Sequence, residues 1–210
     1  MKNVTIIKHP LVQHKLTHIR KKTTHSKEFR EYLNEITTIM AYEVLKGIKL
    51  KDIKIDTPVV KDIDGVEIAE NVNLFPILRA GQGMVDGFLT VMPSSKVGHI
   101  GMYRDEETLE PVEYLMKYPE NIGKDTYNII LDPMLATGGS ALLAIQKLKS
   151  VKIENLKLVV LVASQKAIDK ITSEHPEIEI FTASIDPILN DKGYIEPGLG
   201  DAGDRLFGAK

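Results

Sequence analysis

Between residues 72 and 185, the pattern of hydrophobic and polar positions changes regularly along the chain. Short continuous apolar runs, typical of strands buried on both faces of a parallel sheet, alternate with segments whose apolar residues recur at helical spacing. Strands that alternate with helices predict an α/β core with a mostly parallel central sheet, flanked by helices. Such sheets bind ligands at the carboxyl ends of their strands, so the residues that follow each strand are the candidates for function.

The pattern before this core predicts helices first and then a polar segment. Residues 1–47 predict a helical arm of two amphipathic helices, packed on the core or on a partner subunit. Ser26 is predicted to cap the second helix, which ends near Gly47. Residues 48–71 are polar, and their turn signals, which include Asp64-Gly65, predict a small hairpin or an edge element.

A strand runs directly into an acidic, glycine-containing turn at residues 127–140. The apolar strand ends at Asp132, and a helix with an apolar stripe follows the turn. Gly138 and Gly139 therefore lie at a helix N-terminus, where free N–H groups and the helix dipole favour an anion such as phosphate. Asp132 is placed to accept hydrogen bonds from the hydroxyls of a sugar whose phosphate lies in the turn. The alternative is that Thr137 only caps the helix and the glycines only form a tight turn.

A second candidate anion site follows the strand predicted at residues 72–78. Arg79 emerges where that strand ends, and Gly81 and Gly83 precede another predicted helix, on the same edge of the sheet as the first site. A guanidinium donates to phosphate oxygens in bidentate geometry. If Arg79 stood alone, a surface salt bridge would be the better interpretation. Pro76 is unusual for a central strand and leaves the limits of this strand open.

Two further segments offer ways to cover a ligand. Residues 98–118 predict an antiparallel hairpin flap with a charged tip, which could fold over a ligand with Arg104 reaching its phosphates. A charge-rich turn can equally be a solvated one. Residues 186–210 contain five glycines and two prolines. This tail is either floppy or a hood shaped to present its backbone to a small ligand, and its apolar residues favour an ordered cover.

Composition narrows the function classes. The chain has 210 residues, of which 43% are hydrophobic and 27% are charged, as expected for a single globular domain over residues 1–210. Its net charge of −2 gives no general reason to bind nucleic acid or an anionic membrane, so phosphate binding must be local. The chain contains no cysteine, signal peptide or long apolar span. We therefore expect a cytoplasmic protein.

Four motifs in order carry a family resemblance. They are LRAGQG at residues 78–83, GMYRDEETLEP at 101–111, ILDPMLATGGS at 130–140 and GYIEPGLGDAGDRLFG at 193–208. Together they resemble the uracil phosphoribosyltransferases, and the N-terminal segments do so too. The resemblance implies the phosphoribosyltransferase fold, and conversion of uracil and 5-phospho-α-D-ribose 1-diphosphate (PRPP) to UMP and diphosphate with Mg²⁺.

The resemblance also implies roles for individual residues. Arg79 and Arg104 would contact the diphosphate of PRPP and would form the catalytic set together with Asp132. The full PRPP site would consist of Arg79, Arg104, Asp132, Pro133, Met134, Leu135, Ala136, Thr137, Gly138, Gly139, Ser140 and Asp201. The uracil site would consist of Tyr194, Ile195, Gly200, Asp201 and Ala202. Mg²⁺ would be held mainly by PRPP and water, with no direct protein ligand.

Some points depart from the resemblance or stay open beside it. Residues 162–169 (VASQKAID) differ from the VAAPEG-like run expected there, which puts in doubt the loop between Ser164 and Ala167 and any effector response that depends on it. GTP is a possible effector, and a homodimer or a higher homo-oligomer is expected, with the arm as candidate interface. The alternative function is a pyrimidine-responsive RNA-binding regulator on the same fold. It would need a basic face, against which the net charge of −2 argues.

Overall fold

The computed structural model describes residues 3–104, 111–120, 122 and 126–208. The helices are α1 (Pro10–Arg20), α2 (Ser26–Val44), α3 (Val85–Val91), α4 (Gly139–Ser150), α5 (Gln165–Glu174) and α6 (Ala202–Phe207), with short 3-10 helices at Leu45–Gly47 and Ala80–Met84. The strands are β1 (Val4–Ile6), β2 (Leu50–Ile55), β3 (Ile63–Ile68), β4 (Asn71–Leu78), β5 (Lys96–Val97), β6 (His99–Arg104), β7 (Pro111–Lys117), β8 (Thr126–Leu135), β9 (Leu156–Ser164), β10 (Glu179–Asp186), β11 (Ile188–Leu189) and β12 (Ile195–Glu196).

Eight of the described strands form one sheet in the order β1-β10-β9-β8-β4-β6-β7, with β5 paired beside β4. All of its pairs are parallel except β6 with β7. Every residue of β9 is buried, as expected for a strand covered on both faces. The prediction of an α/β fold with a mostly parallel central sheet is confirmed.

Alternate residues of the central strands enter two different cores. On β8, Ile129 packs in a cluster with the apolar faces of α1, α2 and α3, whereas Ile130 packs with those of α4 and α5. The helices therefore cover both faces of the sheet, and the N-terminal arm packs on the core of its own chain. In the described part of the chain, we find no helix with the length and apolar character needed to cross a membrane.

Local pairing corrects several sequence predictions. Residues 4–6, which fall within the predicted helical arm, add the strand β1 to the edge of the sheet beside β10. Ser26 is the first residue of α2 and not its cap, since His25 occupies the N-cap position. Asp64-Gly65 lies inside strand β3 of the β2–β3 hairpin, where pairing with β2 overrides the turn signal.

Pro76 lies inside a central strand because its neighbours on one side are interrupted. On the β5 and β6 side of β4, pairing with β5 ends at Leu74 and pairing with β6 begins at Ile77. Pro76 falls in this gap, while on the other side it stands opposite Leu131 of β8. A residue without an N–H donor is tolerated where the ladder is broken.

Candidate functional site

The strand that carries the candidate carboxylate is longer than predicted. Pairing between β8 and β4 stops at Leu131, but β8 continues beside β9, where Asp132 stands opposite Val160 and Leu135 opposite Ala163. Asp132 is therefore the first residue of β8 without a partner on β4, and its side chain lines an open cavity. The backbone N–H of Met134 donates to the Asp132 carboxylate at 3.2 Å, which holds the carboxylate in place.

The glycine turn after β8 opens helix α4. Gly138 is the N-cap residue with a φ of 79°, a left-handed conformation that favours glycine, and a Cβ at Gly138 would lie 3.3 Å from the Cβ of Ala167. The N-cap position belongs to Gly138 and not to Thr137, whose hydroxyl accepts from the backbone N–H of Gly139 at 3.5 Å. Gly139 and Ser140, in the first turn of α4, line the cavity. The first N–H groups of a helix have no partner within the helix, so this helix start can bind an anion.

Residues 162–169, which depart from the family resemblance, hold the glycine turn through a hydrogen bond of Ser164. The buried Ser164 hydroxyl donates to the carbonyl oxygen of Ala136 at 2.6 Å, and it accepts from the backbone N–H of Ala167 at 3.1 Å. Ser164 therefore caps α5 and holds the glycine turn at the same time. Its side chain connects the helix N-terminus of α5 to the loop that precedes α4.

The tail forms a second part of the cavity lining. The strands β11 and β12 form a two-stranded hairpin, and α6 follows it, so the tail is more regular than the sequence pattern predicted. Asp201 caps α6, since its carboxylate accepts from the backbone N–H of Asp204 at 2.8 Å. Ile195 and Leu199 are buried, which anchors the tail to the core. The tail is therefore ordered and lines part of the cavity, while its role as a cover over a ligand stays a prediction.

The glycine turn and the tail enclose a cavity of about 420 Å³, within the usual range for small-molecule sites. Most of the predicted site residues line it: Asp132, Met134, Leu135, Ala136, Thr137, Gly138, Gly139, Ser140, Tyr194, Ile195, Gly200, Asp201 and Ala202. Pro133 is buried and does not line it. The lining residues that the sequence interpretation missed are Ala80, Ala141, Lys192, Gly193 and Gly203.

The structure describes the side chain of Arg79 but not that of Arg104, the two arginines predicted to bind diphosphate. Arg79 does not line the cavity; its guanidinium pairs with Asp204 at 3.4 Å, and its side chain is 54% exposed. This exposed pair is worth little, so a phosphate that entered could replace Asp204 as the partner of Arg79. The backbone of Arg104 ends strand β6, but its side chain and residues 105–110 of the hairpin tip lie outside the described residues. Closure of this tip over a ligand therefore stays a prediction.

The glycines after Arg79 have a packing role, and the anion site predicted beside them stays a prediction. Gly81 is buried, and a Cβ there would overlap the carbonyl oxygen of Leu131. A Cβ at Gly83 would lie 2.9 Å from side-chain atoms of Leu33 and Leu206. Both glycines allow the 3-10 helix to approach β8 and the helices that surround it.

Two carboxylates, those of Asp132 and Asp201, line the cavity. Burial raises the pKa of Asp132 to about 7, the N–H of Met134 lowers it, and the nearby charge of Asp201 raises it further. Lys192 is the basic residue that lines the cavity in the described part of the chain. A cation that reached the site would relieve the repulsion between the two carboxylates.

Comparison with protein families gives a match over almost the whole chain. Residues 6–209 match the family model described as uracil phosphoribosyltransferase. A protein of Streptococcus thermophilus named uracil phosphoribosyltransferase is 54% identical over 205 residues, which cover 98% of each chain. One from Streptococcus equi subsp. zooepidemicus with the same name is 55% identical over 205 residues and 98% of each chain. None of these matches names an RNA-binding regulator, and that alternative is not supported.

Solved structures share the architecture. The AQ2163 protein from Aquifex aeolicus superposes with a TM-score of 0.90 at 39% identity, covering 97% of each chain. Adenine phosphoribosyltransferase from Leishmania donovani superposes with a TM-score of 0.58 at 16% identity, covering 94% of this chain and 87% of that one. The second similarity shows the fold alone.

Proposed function

Because this chain belongs to the uracil phosphoribosyltransferase family, we propose that it transfers the 5-phosphoribosyl group of PRPP to uracil, giving UMP and diphosphate. One observation carries this proposal. The fold brings a glycine turn at a helix N-terminus, the first wall, and a glycine-rich tail, the second wall, into the lining of one cavity of about 420 Å³. A sugar phosphate fits the first wall and a flat polar base fits the second, so the bond between them forms in the space that separates the walls.

The first wall binds the ribose phosphate. The 5′-phosphate lies at the start of α4, where Thr137, Gly138, Gly139 and Ser140 line the cavity and the helix N-terminus favours an anion. The Asp132 carboxylate, at the edge of the same wall, accepts hydrogen bonds from the ribose hydroxyls. The remaining residues from Met134 to Ala136 shape the floor beneath the ring.

The second wall binds the base. Tyr194, Ile195, Gly200, Asp201 and Ala202 line this side of the cavity. Uracil presents alternating N–H donors and C=O acceptors along one edge, and exposed backbone N–H and C=O groups of a glycine-rich segment can match them without side chains in between. Backbone recognition of this kind needs the tail to hold one conformation, since its groups must meet the base at hydrogen-bond distance.

The reaction sets opposite charge demands on the two ends of the site. Loss of diphosphate from the anomeric carbon builds positive charge on the ribose ring and negative charge on the leaving group. Asp132 offsets the ring charge, while Arg79 and Arg104 stabilise the diphosphate. The tail positions the uracil nitrogen against the anomeric carbon, which replaces a bimolecular encounter by a held geometry. No dedicated general base is assigned.

The acidic residues of the cavity fit a Mg²⁺ ion that arrives with PRPP. No group of three or more histidine and acidic side chains with the geometry of a metal site occurs among the described residues. We expect PRPP and water to supply most ligands of Mg²⁺, which usually keeps several waters and binds substrate phosphates. Asp132 and Asp201 face the same cavity, and their mutual repulsion would be relieved by such an ion. When bound, Mg²⁺ neutralises charge on the diphosphate.

Three finer points belong to the same proposal. We expect a homodimer or a higher homo-oligomer, and the β2–β3 hairpin supports this because its exposed apolar side chains include Val66, which is 60% exposed. Light scattering of the purified chain tests the oligomeric state.

GTP is the expected effector, which is tested by measuring the kinetics of UMP formation with and without GTP. The cytoplasm is the expected location.

The role of the second wall is tested by steady-state kinetics of Asp201→Ala. We expect this variant to lose the use of uracil as substrate, because Asp201 lines the base wall and caps α6. The matched control is Asp191→Ala, which removes an exposed acid of the same tail that does not line the cavity. Unchanged uracil kinetics in Asp201→Ala would count against the tail as the base site.

A further inference from the structure

The base wall depends on a backbone segment with little regular structure. Between strand β12 and helix α6, residues 197–201 have no helix or strand of their own. Gly200 and Asp201 in this segment line the cavity, whereas Gly198 and Leu199 are buried behind it. Something outside the segment must hold its backbone if the groups that face the cavity are to stay in one place.

The ion pair between Arg20 and Asp186 binds both the N–H and the C=O of Gly198. Arg20, the last residue of α1, donates from Nη1 to Asp186 Oδ2 at 2.6 Å and from Nη2 to Asp186 Oδ1 at 2.8 Å. The same Nη1 donates to the carbonyl oxygen of Gly198 at 2.6 Å, and the N–H of Gly198 donates to Asp186 Oδ2 at 2.9 Å. The Ser184 hydroxyl also donates to Asp186 Oδ1, at 2.7 Å.

A second arginine holds the next carbonyl. Arg205 of α6 donates from Nη1 to the carbonyl oxygen of Leu199 at 2.7 Å and from Nη2 to the carbonyl oxygen of Lys21 at 2.7 Å. Lys21 follows Arg20 at the end of α1. Two successive carbonyls of the tail are therefore tied by guanidinium groups to the same end of the N-terminal arm, directly before the residues that face the cavity.

Stability alone is a weak reason for this arrangement. The Arg20 side chain is 20% exposed and that of Asp186 is 4% exposed, so the pair has lost much of its hydration. Desolvation of a buried pair offsets much of its attraction, and replacing both members by apolar residues is often neutral for stability. What apolar residues cannot do is hold both the N–H and the C=O of Gly198 in a fixed direction.

We propose that Arg20 and Asp186 form a positioning pair that sets the base-reading backbone of the tail, so that the pair governs the use of uracil far more than that of PRPP. This inference rests on the proposed function. Neither residue lines the cavity, so both act through Gly198 and the residues that follow it. The N-terminal arm thereby contributes to base recognition although it contacts no substrate.

The test compares the apolar double variant Arg20→Met/Asp186→Leu with the wild type. We expect the KM for uracil to rise at least about tenfold, since small misplacements of binding groups are costly, while the KM for PRPP changes by less than about twofold. The melting temperature is measured on the same samples, because a purely structural role would lower it without separating the two KM values. Arg20→Lys keeps the charge but not the planar fork, and we expect it to raise the uracil KM as well.

Arg30→Met is the matched control. Arg30 also reaches from the arm to a carbonyl of the tail, that of Leu206 at 2.6 Å, but Leu206 does not line the cavity. We expect this control to leave both KM values within about twofold of the wild type, as for a contact away from the base. An unchanged uracil KM in both Arg20 variants, in a wild-type background that forms UMP, overturns the inference. A wild type that forms no UMP overturns the proposed function first.

Discussion

Replacing Asp132 by Asn should make the unliganded protein more stable at neutral pH while it removes activity. In the free site, burial raises the pKa of Asp132 from 3.8 to about 7, with the Met134 N–H opposing the rise and Asp201 adding to it. The folded chain therefore holds a proton that the unfolded chain releases at lower pH. Between about pH 4 and pH 7 the free energy of unfolding falls as pH rises, and above about pH 7 the loss is complete.

The size of this effect follows from the difference between the two pKa values. At about 1.4 kcal/mol for each pKa unit, that difference sets an upper limit of about 4 kcal/mol. The Asp132 carboxylate also faces an open cavity where water screens its charge, so we expect a gain of about 1–2 kcal/mol for Asp132→Asn at pH 8. Asn has nearly the same shape and still accepts from the Met134 N–H, so the change removes little except the charge.

The measurement is urea unfolding of the wild type and the variant at pH 8 and pH 5, without PRPP or Mg²⁺. At pH 5 a larger share of the folded wild type carries the proton than at pH 8, so the gain should be smaller at pH 5. Asp201→Asn serves as a control: it removes the neighbouring charge and should give a smaller gain. If Asp132→Asn were no more stable than the wild type at pH 8, or if its gain did not depend on pH, the reasoning would be wrong.

Three further predictions concern the walls of the cavity. Arg79→Ala should lower kcat/KM for PRPP by about two orders of magnitude or more with little change in melting temperature, because its ion pair with Asp204 is exposed; steady-state kinetics and thermal unfolding check this. Gly81→Ala should destabilise the fold by at least about 1–3 kcal/mol, measured by urea unfolding, because its methyl group would meet the carbonyl oxygen of Leu131. Ser164→Ala should raise the KM for PRPP several-fold and leave that for uracil unchanged, whereas Ser164→Thr should restore it.

The parts of the fold that the sequence predicts best are those with strong local patterns. The strand β9 contains a continuous apolar run at residues 158–163 and is buried at every position, and α2 carries apolar residues at helical spacing over 19 residues. In both elements, the apolar positions of the sequence directly predict which residues are buried. β1 could not be predicted in the same way, because its three residues form a strand only by pairing with β10.

The limits of β8 illustrate a second kind of difference. Asp132 and Pro133 are poor strand residues, so the sequence predicts the end of the strand at Asp132. The structure continues the strand to Leu135 because β9 extends beside it, and only the β4 side ends at Leu131. Asp132 nevertheless lies at the carboxyl edge of the sheet, as predicted, because its place there depends on where the neighbouring strand β4 stops.

The site is predictable where motifs mark it and not where folding alone supplies it. The glycine turn and the glycine-rich tail carry distinctive residues, and both line the cavity. Lys192 and Ala80 carry no such signal and reach the cavity only through the path of the chain. Likewise, nothing in the sequence connects Arg20 to Gly198, which lie 178 positions apart and meet only in the folded protein.

The central claim is that the two walls of the cavity join PRPP to uracil. It is tested most directly by following product formation with PRPP and Mg²⁺ against a panel of free bases that includes uracil, hypoxanthine and adenine. The account predicts that uracil is converted to UMP with release of diphosphate, and that the purines are used far less efficiently. Failure to form UMP, or equal use of a purine, would contradict it.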